Sequence, residues 1–166
     1  SMQRGRLIDL YIDGHKYVSD RKVVIYGEED LVVALAAFVS ETGMKPVICA
    51  SGGESGQLRK MLKTTLDELF SENTLVGEGM TFEQMATAIE QMEHKPDLLI
   101  GNSKGYYLAR KFDIPLVRVG FPIHDRIGAA HNRLLCYEGA SILFEQIVNT
   151  LLDERQKKSS VGYKYM

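Results

Sequence analysis

Short apolar strand patterns alternate with helical patterns along the whole chain, and this alternation is the strongest constraint on its fold. Runs rich in β-branched residues are separated by segments of helical periodicity. The strand patterns cover residues 23–27, 46–51, 74–79, 97–101 and 115–120. The helical patterns cover residues 4–17, 28–42, 56–70, 82–93, 104–113 and 138–154. This alternation predicts an α/β fold: a three-layer, open, Rossmann-like parallel sheet of four or five strands, with helices on both faces.

Local signals at the predicted helix ends agree with these boundaries. Thr81 and Gln84 have the spacing of a capping box, in which each side chain bonds the other residue's backbone. Ser55 and Ser103 are candidate N-caps for the third and fifth helices. Gly43 follows a helix where a left-handed residue is expected.

The length of 166 residues is that of one domain, which we expect to cover residues 3–155 and to be followed by a polar tail at 156–166. The net charge of −2 gives no electrostatic case for a nucleic-acid partner. No apolar run approaches the ~20 residues that cross a bilayer, so no membrane partner is expected. Since the start SMQRGRLIDL carries no secretory signal, we expect a cytoplasmic protein.

Two cysteines, Cys49 and Cys136, are too few for a disulfide framework or a four-thiolate metal site. Cys49 lies in the apolar run PVICA, and the favoured interpretation is a small buried side chain.

Glycine-rich strings follow the strands, and ligands of parallel sheets bind beyond such strand ends. ASGGESG (50–56) has the composition of a phosphate cradle. It lacks the GxGxxG and P-loop patterns, however, so tight turns with ordinary capping are favoured over nucleotide binding. GNSKG (101–105) fits the Gly-x-Ser-x-Gly string of a hydrolase nucleophile. The acid and base that would follow, Asp125 and His131, lie only six residues apart, which argues against hydrolysis.

The stretch VRVGFPIHDRIGAAHNR (117–133) gathers many polar side chains after the last strand. These side chains could supply ligands to a metal, but their spacing matches no compact ligand motif. We therefore favour a loop that meets a partner or a second domain. Its candidate interface residues are Pro122, His124, Asp125, Arg126 and His131.

Several segments resemble one known family. RGRLIDLYIDGHKYV, VVIYGEEDLVVALAAFVSETG, KPDLLIGNSKG, and IPLVRVGFPIHDR with CYEGA are similar to the nitrogenase component 1 family, in an order and spacing that span about residues 4–155. The stretch RVGFPIHDR is the most specific part. The resemblance is to β-type members, namely the β chain of the molybdenum–iron protein and NifN, the β-like chain of the cofactor-assembly scaffold NifEN.

The resemblance implies a nitrogenase-type domain taken from the C-terminal part of a longer, three-domain chain. It implies an α-type partner subunit, NifE-like or NifD-like, in an α2β2 assembly, and an iron protein that supplies electrons. The parent complex would carry an iron–sulfur cluster and the iron–molybdenum cofactor or its precursor. In the family, the β-type cysteine ligands come from the N-terminal domain. We therefore expect no catalytic, cofactor-binding or metal-binding residue in this domain, and no activity from the domain alone.

Two β-type functions remain open, and a third function belongs to a different class. The acidic turn EED and the sequence GAAHN favour the NifN part of the scaffold, on which the cofactor matures. The alternative is the catalytic β chain of the molybdenum–iron protein, whose complex reduces dinitrogen. The third is a sensor domain that binds a small ligand at the ASGGESG and GNSKG strand ends.

Overall fold

The computed structural model describes residues 2–120 and 137–159, which form one parallel sheet covered by helices on both faces. The strands are β1 (Lys22–Gly27), β2 (Lys45–Ser51), β3 (Leu75–Glu78), β4 (Leu98–Gly101) and β5 (Leu116–Arg118). The helices are α1 (Met2–Val18), α2 (Glu29–Glu41), α3 (Leu58–Leu66), α4 (Phe82–Glu90), α5 (Tyr106–Phe112) and α6 (Tyr137–Lys158). The predicted fold class is thus confirmed, with five strands.

The strands lie in the order β3-β2-β1-β4-β5, and every neighbouring pair is parallel. β1 therefore lies at the centre, where Ile25 is in register with Cys49 on one side and Ile100 on the other. The order reverses between β1 and β4, because the chain runs outward to β3 before it returns. In doubly wound sheets, this reversal opens a crevice at the carboxyl ends of the strands.

Alternating side chains of β1 divide the core into two clusters. Val23 and Ile25 face α1, α2, α3 and α6, whereas Val24 and Tyr26 face α4 and α5. This follows from the period of two along a strand, and all four side chains are buried. Continuous apolar strands are the pattern expected when helices cover both faces of a sheet.

α1 and α6 pack against each other at the outside of the first cluster. The ring of Phe144 is fully buried, with its centroid 4.8 Å from that of Tyr11. A Cβ at position 14 would overlap the Phe144 ring, so Gly14 allows the two helices to approach closely. None of the helices formed by the described residues is both long and apolar enough to cross a membrane.

Several predicted helix ends are confirmed. Thr81 and Gln84 form the reciprocal capping box, and Gly43 has the left-handed φ of +93° after α2. Two predicted caps are wrong. The N-cap of α3 is Gln57 rather than Ser55, and Asn102 rather than Ser103 caps the short 3₁₀ turn before α5, where its side chain accepts a hydrogen bond from the Lys104 N–H.

Other element boundaries differ by a few residues. The helix predicted over 56–70 ends at Leu66 and continues as the 3₁₀ turn Asp67–Leu69. α6 extends to Lys158, so its last turn covers the first residues of the predicted tail. Glu154 Oε1 lies 3.4 Å from Lys157 Nζ, and Glu154 Oε2 lies 3.7 Å from Lys158 Nζ. Cations in the last turn of a helix also interact favourably with its C-terminus.

Candidate functional site

The carboxyl ends of β1, β2 and β4 surround an open cleft of about 550 Å³. The ASGGESG string leaves β2 and the GNSKG string leaves β4, and residues of both line the cleft. They meet there because the strand order places β1 between β2 and β4. The cleft therefore occupies the crevice expected at the reversal of strand order.

Tyr26 closes the floor of this strand-end cleft. Its side chain is buried, and its hydroxyl donates a 2.6 Å hydrogen bond to the backbone carbonyl of Asn102. A Cβ at Gly101 or at Gly105 would overlap the Tyr26 ring or hydroxyl. Packing against Tyr26 therefore accounts for both glycines of the GNSKG string. A nucleophilic serine between the glycines is not needed to explain the string.

Hydrogen bonds within the protein hold the ASGGESG loop. The Gly56 N–H donates to Glu78 Oε1 at 2.8 Å, and the Gln57 N–H donates to Ser55 Oγ at 3.0 Å. Ser55 Oγ lies within hydrogen-bond distance of carboxylate oxygens of both Glu29 and Glu78. The loop is therefore a tight turn held by carboxylates, and a tight turn is the interpretation that the sequence favoured. Glu78 Oε1 already accepts the hydrogen bond from the Gly56 N–H that a phosphate oxygen would otherwise accept.

Charged side chains around the cleft are mixed in sign. Glu28 and Glu29 line it at the start of α2, and Lys104 lines it from the opposite side. Glu29 and Asp30 also stand in the first turn of α2, where negative charge is favourable beside the helix N-terminus. This arrangement favours a polar or cationic group over a phosphate.

The predicted interface residues Pro122, His124, Asp125, Arg126 and His131 lie outside the described residues, as does Cys136. The structure places the point from which that segment departs. Gly120 has a φ of +83°, and a Cβ there would lie 2.7 Å from Leu31 Cδ2. Residue 120 therefore stands beside α2, at the strand-end side of the sheet.

The described residues do not fit a metal or an iron–sulfur cluster. Within residues 2–120 and 137–159, no three His, Cys, Asp or Glu side chains come together as metal ligands. The Cys49 thiol is buried between the sheet and its helices, and burial raises its pKa to about 12. A buried neutral thiol is a poor ligand, since metals bind the thiolate.

The sheet order and the strand-end cleft define a doubly wound α/β domain of the kind that presents its strand ends to a ligand or to a neighbouring protein surface. The sequence model of the family described as "Nitrogenase component 1 type Oxidoreductase" matches residues 1–152. The chain belongs to that family.

Curated relatives are β chains of nitrogenases. The chain is 37% identical to the nitrogenase molybdenum-iron protein beta chain of Frankia alni, over 93% of this chain and 29% of that one. It is 36% identical to the corresponding chain of Clostridium pasteurianum, over 94% of this chain and 34% of that one. It is 32% identical to the nitrogenase iron-iron protein beta chain of Rhodobacter capsulatus, over 95% and 34%. The chain thus spans about a third of the length of these relatives.

Solved structures agree with this relationship. A chain of "Nitrogenase Cp1 at pH 6.5" superposes with a TM-score of 0.93 at 34% identity, over 99% of this chain and 36% of that one. A chain of "Nitrogenase Cp1 at pH 5" superposes with a TM-score of 0.68 at 9% identity, over 98% and 37%. The second similarity concerns the fold alone. The chain is therefore a nitrogenase β-chain-like domain.

Proposed function

We propose that this chain is one domain of a β-type nitrogenase component 1 subunit and acts in nitrogen fixation. The observation that carries the proposal is that 99% of this chain superposes on a nitrogenase Cp1 chain, at 34% identity. The chain spans about a third of its relatives, and we propose that it is the C-terminal domain of a longer subunit, as the resemblance implies.

The proposed partner is an α-type subunit in an α2β2 assembly. The relatives are named as β chains, and a β chain implies a second, different subunit. An iron protein would deliver electrons to that assembly. The partner would be NifD-like if this chain is a catalytic β chain, and NifE-like if it belongs to the scaffold.

Two β-type functions compete within this proposal. The names of the matched relatives favour the catalytic β chain, whose complex would reduce dinitrogen. The sequence favoured the NifN part of the cofactor-assembly scaffold, partly through the turn EED. Glu29 and Asp30 of that turn stand in the first helical turn of α2, a position that favours acids in any protein. The turn thus supports neither function, and the scaffold is kept as the second form of the proposal.

In either form, the parent complex would carry an iron–sulfur cluster and the iron–molybdenum cofactor or its precursor. The described part of this domain offers no ligand set for those groups, and its Cys49 thiol is buried. We propose that the remaining domains and the α-type subunit hold them. The role of this domain would then be to complete and stabilise the assembly.

The interface loop that the sequence predicts after β5 is the proposed contact with that assembly. Gly120 lies at the strand-end side of the sheet. The next eleven residues of the sequence include the predicted interface residues Pro122, His124, Asp125, Arg126 and His131. Replacing both Asp125 and Arg126 by Ala should weaken pairing with the α-type subunit in co-purification. The matched control, Glu68→Ala on the exposed 3₁₀ turn after α3, should leave pairing unchanged. Equal pairing by both variants would remove the loop from the proposal.

A second candidate function, small-ligand binding, is favoured by the convergence of the ASGGESG and GNSKG strings on one cleft. A ligand that binds the folded chain raises its thermal stability by mass action. A thermal-shift screen of nucleotides, sugars, amines and anions tests this function. A shift that disappears in Tyr26→Ala would support it, and the absence of any shift would dispose of it.

Acetylene reduction distinguishes the two β-type functions. The full-length chain would be purified without oxygen with its α-type partner, then assayed with the iron protein, dithionite and ATP while molybdenum is quantified. Turnover with stoichiometric molybdenum would identify a catalytic β chain. Negligible turnover, with transfer of cofactor to an apo-enzyme, would identify the scaffold.

A further inference from the structure

The strand-end cleft has an apolar wall as well as charged rims. Met80, Phe82 and Met85, from the end of the loop after β3 and the start of α4, line it together with Tyr26. The Phe82 ring lies edge-on to the Tyr26 ring, with 5.3 Å between the centroids. Met80 and Phe82 are only partly buried, so their remaining apolar surface is open to a ligand. Thioethers and aromatic rings pack well against aliphatic groups.

A carboxylate without a partner stands on one side of the cleft. Glu28 is the N-cap residue of α2, but its side chain makes no capping hydrogen bond. No Lys, Arg or His among residues 2–120 and 137–159 lies within ion-pair distance of it. With Glu29 and Asp30 it gives three carboxylates, which outweigh the charge of roughly +0.5 at a helix N-terminus. This side of the cleft therefore attracts a cation.

An ammonium without a described partner stands on the other side of the cleft. The Lys104 side chain lines the cleft from the turn after β4. In the described part of the chain, no carboxylate lies within ion-pair distance of it, and this includes Glu28. Since β1 and β4 are neighbours in the sheet, the cleft presents one unpaired charge of each sign to the same volume.

We propose that the strand-end cleft binds a zwitterion with an apolar side chain, of which an apolar α-amino acid is the simplest example. The ligand's ammonium would lie at Glu28, its carboxylate at Lys104 and its side chain against the apolar wall. A ligand with a single charge would leave one of the two rims without a partner, and a wholly polar ligand would leave the wall in contact with water. The inference rests on the second candidate function, small-ligand binding, and is independent of the assignment to a nitrogenase subunit.

The test compares three compounds that differ by one charge at a time. They are L-leucine, leucinamide, which lacks the carboxylate, and isocaproate, which lacks the ammonium. NMR titration of the 15N-labelled chain at about pH 6.5, where amines and carboxylates are charged, measures each affinity. Leucine should shift the amide signals of Gly27 and Lys104, and it should bind about fivefold more tightly than either analogue, because an ion pair with an exposed side chain contributes modestly.

Two variants separate the two charges. Glu28→Gln should weaken the binding of leucine and leucinamide about fivefold and change that of isocaproate less than about twofold. Lys104→Gln should weaken the binding of leucine and isocaproate about fivefold and change that of leucinamide less than about twofold. The matched controls are Glu68→Gln and Lys60→Gln, which are exposed and do not line the cleft, and they should leave all three affinities unchanged. Circular dichroism establishes that each variant is folded.

Three results would overturn the inference. They are no binding of leucine at millimolar concentration, equal affinities for the three compounds, and equal losses in the cleft variants and the controls. A thermal shift with a nucleotide or a sugar, but none with an amino acid, would overturn this inference while small-ligand binding stood. No shift with any compound would remove both.

Discussion

The hydroxyl of Tyr26, at the end of β1, donates a hydrogen bond of 2.6 Å to the backbone carbonyl of Asn102, just beyond β4. This bond joins the two strands between which the sheet order reverses. The Tyr26 side chain also lies against Gly101 and Gly105, which precede and follow Asn102 in the sequence. One aromatic side chain thereby fixes the turn that carries the GNSKG string and closes the floor of the strand-end cleft.

Gly105→Ala should destabilise the chain by about 1–3 kcal/mol, since the added methyl group would overlap the Tyr26 hydroxyl. Gly52→Ala is the control, because a Cβ at that position meets open space, and it should change the free energy of unfolding by less than about 0.5 kcal/mol. Urea unfolding measures both. In a Tyr26→Phe background the cost of Gly105→Ala should fall. Strict additivity of the two changes would contradict the contact.

Phe144→Ala should cost about 3–5 kcal/mol, because the ring is fully buried between α1, α6 and the sheet. Ile12→Ala removes an apolar side chain that is 69% exposed on α1, and it should change stability by less than about 0.5 kcal/mol. The comparison by thermal or urea unfolding tests whether α1 packs through the face that carries Tyr11 and Gly14. Similar losses for the two variants would show that it does not.

The Cys49 thiol should be unreactive in the folded chain. Burial raises its pKa from 9.0 to about 12, so the reactive thiolate is scarce near pH 8. With Cys136 replaced by Ser, a chromogenic disulfide reagent should label Cys49 only as fast as the chain unfolds. Fast labelling of the folded chain at pH 8 would contradict its burial.

The same shift predicts a dependence of stability on pH. A raised folded-state pKa favours the neutral thiol, so this contribution is fully present below pH 9.0 and is lost as the pH rises toward about 12. Unfolding of the Cys136→Ser chain in urea, followed from pH 8 upward, should therefore show falling stability. Constant stability over that range would argue against the shift.

Glu72 should titrate below its ordinary pKa of 4.5. The hydrogen bond from Lys63 lowers the pKa of Glu72 most, and the bond from Arg59 lowers it further. The contribution of this carboxylate to stability is therefore present above pH 4.5 and is lost as the pH falls through its lowered value. An NMR titration of Lys63→Met should move the pKa of Glu72 back toward 4.5, and 1 M salt should do the same. If the pKa of Glu72 stayed unchanged in both conditions, Lys63 would not be the cause of its lowering.

Much of the fold is visible in the sequence because the signals that specify it are local. Val23–Tyr26 are buried from both sides of the sheet, so β1 reads as a continuous apolar run. The two residues of the Thr81–Gln84 capping box are only three positions apart, and both of its hydrogen bonds form as the spacing predicts. Residue type and spacing are sufficient for features of this kind.

The two strings that line the strand-end cleft are predicted from the sequence, but the contacts that shape the cleft join residues far apart along the chain and are not predicted. Tyr26 and Asn102 are separated by 76 positions, and nothing near Tyr26 indicates why GNSKG needs two glycines. Ser55 has the residue type of an N-cap, but its hydroxyl is approached by Glu29, the first residue of α2, and by Glu78, the last residue of β3. The extension of α6 past residue 154 did have a local signal, the i,i+3 and i,i+4 pairs of Glu154.

Affinity purification without oxygen tests whether this chain is a domain of a β-type nitrogenase component 1 subunit. The subunit that contains this chain would be tagged in its native cells, and the bound proteins, iron and acid-labile sulfide would be quantified. We expect recovery of an α-type subunit in equal amount, together with iron and sulfide. Recovery of a single protein without an α-type partner and without iron would contradict it.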